Sequence, residues 1–121
     1  MHPAILLLTD SRLPAGGHAH SGGAEQAVAL GLVHDLPSLS SFLRGRLHTA
    51  GALAAALAAA ACLLASRVPG GDGRPWELLD AEADARTASP AQREAARTQG
   101  RLLLRVARRL WPSPVLDALA G

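Results

Sequence analysis

A chain of 121 residues with 49% apolar but only 2% aromatic side chains fits one small domain cored by Leu, Val and Ala, which favours closely packed helices over an aromatic-stacked sandwich. The single cysteine, Cys62, excludes a disulfide framework and a Cys-rich zinc site and points to a reducing compartment, while 18% charged residues amid abundant Leu and Ala exclude wholesale disorder. All 12 basic residues are Arg against 10 acids, and they are unevenly spread: Asp72 to Asp84 holds five acids and one Arg, whereas Arg86 to Trp111 holds seven Arg and one Glu.

Taken in chain order, the run Ala4–Leu8 is too short for a secretory segment and lacks a basic flank. With Asp10, Ser11 and Pro14 behind it, it predicts a short opening helix. Residues 13–23, LPAGGHAHSGG, hold four Gly, one Pro and two His and read as a loop. Ala24–Leu32 is a predicted two-turn helix with Glu25 near its positive end, Ala24, Ala27, Val28 and Leu32 on one face, and Gly31 marking its end. Pro37-Ser38 signals the start of a long helical stretch to Ser66, where Leu39, Phe42, Leu43 and Leu47 keep the helical period and Gly51 predicts a break or kink. Pro69–Arg74 is a turn, and Trp76–Arg86 an acidic helix with Trp76, Leu79 and Ala83 as its apolar edge. Ser89-Pro90-Ala91-Gln92 supplies an N-cap, a first-position Pro and a third-position Gln, a capping-box start, for a helix ending near Leu110, before Pro112. Nothing alternates with period two for long, so the expected class is all-α with five or six helices.

Four features bear on function. Thr49–Ser66 is uncharged and near the length of a membrane span, but eleven of its eighteen residues are Ala or Gly. Small side chains gain little from lipid, so the expectation is a soluble protein with this helix buried and tightly packed. Arg93, Arg97, Arg101, Arg105 and Arg109 recur every four residues, a row that winds by about 40° per step. Such a stripe suits phosphates, an acidic partner or simple solvation. It lacks interleaved aromatics, and the acids at Glu77–Asp84 partly neutralise it. Gly100 within it suggests close helix–helix contact. His18 and His20, two apart in the Gly-rich loop, could share a nickel or zinc ion from one side of an extended segment, or face water as polar loop residues. Asp10, Ser11, His18, His20 and Ser21 include the residue types of a hydrolytic triad, but no strand–turn–helix elbow frames either Ser.

From Leu8 to Glu25 the segment LTDSRLPAGGHAHSGGAE resembles the N-terminal signature of the UreF family of urease accessory proteins. Asp10, Ser11, Leu13, Pro14, Gly16, His20, Ser21, Gly23 and Glu25 match that pattern. It continues through Ala27, Gly31 and Val33 into Leu39, Phe42 and Leu43, with a weaker return at Gln99–Leu103. His18 stands where the family usually has an aromatic, and Ala24 where it has Leu or Ile. Family members continue with further helices beyond the part resembled. Residues 1–121 are therefore expected to be a single UreF-like N-terminal region, an incomplete helical bundle without the family's C-terminal helices.

The resemblance implies a non-enzymatic, cytoplasmic accessory subunit. It would bind UreD (also called UreH) and the GTPase UreG and help deliver nickel to the urease apoprotein. A homodimer is implied if the missing helices are supplied, with neither nucleic acid nor membrane as partner. No cofactor is expected to be tightly held, and nickel is expected only in transit. Asp10, Ser11, Pro14, Gly16, Gly17, His20, Ser21, Gly23 and Glu25 are the candidate partner-binding residues of the loop, joined by Arg97, Arg101 and Arg105 on the stripe. His18 and His20 are the candidate transient nickel contacts. The alternative is a small Arg-rich helical module for nucleic acid or an acidic protein.

Overall fold

The computed structural model describes residues 3–10, 12–13, 20–67 and 73–120. Its elements are α1 (Pro3–Thr9), α2 (Ala24–Ala29), α3 (Leu36–Arg46), a π-turn (Leu47–Gly51), α4 (Ala52–Arg67), α5 (Arg74–Ala85), α6 (Pro90–Leu110) and α7 (Pro114–Ala118). No strand occurs among the described residues, and the chain is all-α. It divides into two compact units, Ser21–Arg67 and Met1–His20 with Val68–Gly121. The predicted turn at Pro69–Arg74 lies mostly outside the described residues, but Arg74 is the first residue of α5.

In the unit Ser21–Arg67, glycines carry the turns. Gly31 stands at φ +70°, and beyond it Leu32 N–H reaches back to the Ala27 carbonyl while Gly31 N–H reaches Val28. This pairing satisfies the last carbonyls of α2 and is the Schellman ending that only a left-handed residue permits. Ala27 is 6% exposed, the one buried residue among those described. Asp35 caps α3 by accepting from Ser38 N–H at 2.8 Å, and Ser38 Oγ accepts in return from Asp35 N–H at 3.1 Å. The helix thus begins ahead of the Pro37-Ser38 signal. Pro37 sits in the first turn, where its missing N–H has no intrahelical partner to lose. His34 Nδ1 lies 2.9 Å from the Gly31 carbonyl and ties the two helix ends together.

Two expectations for the long helix are corrected. Gly51 does not break it: the backbone is right-handed helical at Arg46 and again at Ala52, with the π-turn between. The φ of Gly51 is not positive, so the backbone stays right-handed through it. The helix instead takes one extra residue into its ladder. Nor is the Ala-rich stretch buried, since α4 contains no buried residue. A helix that runs on from α3 cannot fold back to cover its own Ala and Leu side chains. The stretch Leu36–Arg67 is long and apolar enough to cross a membrane by length and composition.

In the other unit, α1 presents Ile5, Leu6, Leu7 and Leu8 exposed, and Thr9 Oγ1 bonds back to the Ile5 carbonyl at 2.9 Å. Trp76, Leu79 and Ala83 are half-buried along α5, as their spacing predicts. Ser89 Oγ accepts from Gln92 N–H at 3.3 Å to start α6. Arg93 donates to the carbonyls of Thr87 at 2.6 Å and Ala88 at 3.1 Å, closing the connection from α5. The chain leaves α6 at Trp111 and turns into α7 through Pro112 and Ser113. The close helix contact expected at Gly100 is absent, for a Cβ built there meets nothing within 4 Å.

Candidate functional site

The loop between α1 and α2 is held by short-range hydrogen bonds at both of its ends. Leaving α1, Asp10 accepts from Arg12 N–H at 2.9 Å, from Arg12 Nε at 3.0 Å and, on its other oxygen, from Nη2 at 2.8 Å. The side-chain hydrogen bonds from Arg12, and then its backbone N–H, hold the Asp10 carboxyl below its ordinary value. With both oxygens engaged, Asp10 is pre-formed as an anion but poorly placed to accept a metal.

Entering α2, whose N-cap is Gly23, Ser21 Oγ reaches forward to accept from Glu25 N–H at 3.2 Å and satisfies one of the first-turn amides. Gly22 and Gly23 stand at φ +62° and +94°, the left-handed turn that swings the chain into α2. Gly22 also allows a close approach: a Cβ there would lie 2.6 Å from Arg46 Nη2. Glu25 and His20 are exposed. Thus Ser21, Gly23 and Glu25 form one hydrogen-bonded turn, while Asp10 is bound to Arg12. Ser11, Pro14, Gly16, Gly17 and His18 lie outside the described residues. Among the described residues no group of three or more His, Cys, Asp or Glu is arranged to hold a metal.

The Arg stripe resolves into members with different surroundings. Arg97 contacts Asp80 at 2.8 Å and Asp84 at 2.9 Å, one turn apart on α5. These hydrogen bonds raise the Arg97 guanidinium above its ordinary value and hold the Asp84 carboxyl below its own. Arg97 is therefore a clamp between α5 and α6, in keeping with the partial neutralisation that the acidic run implies. Arg101 bonds Thr98 Oγ1 at 3.0 Å and lies 3.6 Å from Glu94. The Arg105 side chain has no hydrogen bond or ion pair among the described residues and is exposed.

Spacing by fours misses Arg108, although its position on the helix falls between those of Arg97 and Arg101. It pairs with Asp117 of α7 at 2.8 Å. The helix α7 was not among the elements expected from the sequence; its signal is a second Ser-Pro pair, Ser113-Pro114, at its start. Together these residues line a groove of about 670 Å³, with Arg101, Arg105, Arg108 and Arg109 on one wall and Asp117 and Leu119 on the other. A second groove, of about 550 Å³ and more apolar, runs along α3 beside Val33, Phe42 and Thr49.

The family model for UreF matches residues 33–120. The chain is 52% identical over 117 residues to the urease accessory protein UreF of Mycolicibacterium vanbaalenii, covering 97% of this chain and 52% of that protein. It is 50% identical over 117 residues to UreF of Mycobacterium marinum, with the same coverage of each chain. To UreF of Mycobacterium tuberculosis it is 49% identical over 108 residues, 89% of this chain and 47% of the relative. The chain spans about half the length of the curated relatives it matches. No solved structure matches it.

Proposed function

The chain belongs to the UreF family, whose named relatives are urease accessory proteins, and from that premise we propose that it is a non-enzymatic scaffold subunit for assembling the nickel centre of urease. In this reading it binds UreD (UreH) and the GTPase UreG in the cytoplasm, works as a dimer, and brings that complex to the urease apoprotein. GTP hydrolysis and metal transfer belong to the partners. Nickel is cargo, with His18 and His20 as transient contacts on its way.

The observation that carries the reading, beyond the family match, is the amount of apolar surface left open. Leu36, Leu43, Leu47 and Leu63 are all exposed, Leu36 at 80%. Covering one such side chain fully is worth about 1.5–3 kcal/mol, so an exposed row of this kind suits a scaffold that gains stability from a protein partner. The engagement of Asp10 by Arg12 and of Ser21 by the α2 backbone supports a structural role for both over a chemical one. Acids against Arg97 and the want of an aromatic on the stripe weigh against a nucleic-acid module.

The test is genetic and biochemical together. Deleting the gene is expected to abolish urease maturation without lowering apoprotein levels, with recovery on re-expression of the chain. The tagged chain is expected to co-purify with UreD and UreG homologues. Normal maturation in the deletion strain overturns the reading.

A further inference from the structure

We propose that the groove between α6 and α7 is a docking site for an acidic segment of a partner protein, with Arg105 and Arg109 as its principal contacts. The proposal deepens the accessory-subunit reading and rests on it only for the source of that segment. Four arginines and a single acidic residue line the groove. That carboxylate, Asp117, is already engaged by Arg108 Nε at 2.8 Å. Arg101 is turned toward Thr98 and Glu94 of its own helix. The acids of α5 are no reserve either, because Asp80 and Asp84 both hold Arg97. Arg105 and Arg109 remain without an anion among the described residues. Like charges one helical turn apart repel, and an anion lying across the pair relieves that repulsion.

The groove also indicates which anion. Leu104 and Leu119 give it apolar patches between the charges, a match for the side-chain stems of Glu or for neighbouring apolar residues. No aromatic lines the groove on which a base could stack. Two guanidinium forks a turn apart suit two carboxylates, each taken by paired N–H donors.

The experiment uses the whole 121-residue chain. Fluorescence anisotropy would measure binding of a labelled Glu/Asp-rich peptide, its Gln/Asn counterpart, and a single-stranded oligonucleotide of equal charge. The acidic peptide is expected to bind, weakening with salt, and the neutral one not. Arg105→Gln with Arg109→Gln is expected to weaken the acidic peptide about tenfold. A charge-matched pair in the other unit, Arg44→Gln with Arg67→Gln, is expected to change it less than twofold by comparison. A measurement without substitution supports these: phenylglyoxal labelling read by mass spectrometry, in which the peptide protects Arg105 and Arg109 of the unaltered chain. Equal losses in both variant pairs, tighter binding of the oligonucleotide, or no binding of the acidic peptide each overturns the proposal. Peptide binding does not depend on urease, so its failure is distinguishable from a failure of the deletion-strain test.

Discussion

The contact of Arg97 with Asp80 and Asp84 joins α5 to α6 only while its carboxylates are ionised. Hydrogen bonds from Arg97 hold the Asp84 carboxyl below its ordinary value of 3.8. The unfolded chain therefore takes up a proton there more readily than the folded one. This contribution to stability is complete above the unfolded value and is lost as pH falls through the folded one. Asp10, held by Arg12, and Asp35, held by Ser38, act in the same direction. Circular dichroism is expected to show thermal stability declining on acidification below about pH 4, less steeply in Asp84→Asn, with salt reducing the difference. At this scale the sequence revealed the opposed charge runs but not their pairing. Which Arg meets the acids depends on how the connection at 86–89 sets the two helices, and Arg93 braces that connection by donating to the Thr87 and Ala88 carbonyls.

Elements differ in how far their ends are written in local chemistry. The start of α6 follows from Ser89 and Pro90 and its end from Pro112, while α2 stops where Gly31 adopts φ +70°. Gly31→Ala is therefore expected to destabilise the capped turn by about 1 kcal/mol or more. Gly100→Ala is expected to stabilise α6 by about 1 kcal/mol, because the added Cβ meets nothing within 4 Å. Urea unfolding with hydrogen exchange at the α2 and α6 amides checks both signs. Equal effects at the two positions contradict the conformational distinction. The π-turn was not legible, since Leu47–Gly51 carries no residue type reserved for that geometry and Thr49 bonds to the Gly45 carbonyl as it would in an α-helix. The exposure of α4 was not legible either, because an Ala-Leu run has the same composition whether or not something covers it.

Across the whole molecule, helix content is consistent with the sequence while burial is not. Ala27 is buried, yet Leu residues of α1, α3, α4, α5 and α6 are exposed. The isolated chain is expected to bind a dye selective for apolar surface, 1-anilinonaphthalene-8-sulfonate. Leu43→Ser with Leu47→Ser is expected to lower that fluorescence without loss of helicity, and an unchanged signal would remove this patch from consideration. The π-turn adds a geometric condition on whatever binds there. One additional residue in a turn shifts the phase of everything after it by about 100°. Phe42 and Arg46 precede the π-turn, and Leu53 and Leu57 follow it. An uninterrupted α-helix would align the two pairs to within about 60°, and the extra residue rotates the second pair out of that alignment. A partner seated on Leu43 therefore meets a different face of α4 from the one an uninterrupted helix would have offered it.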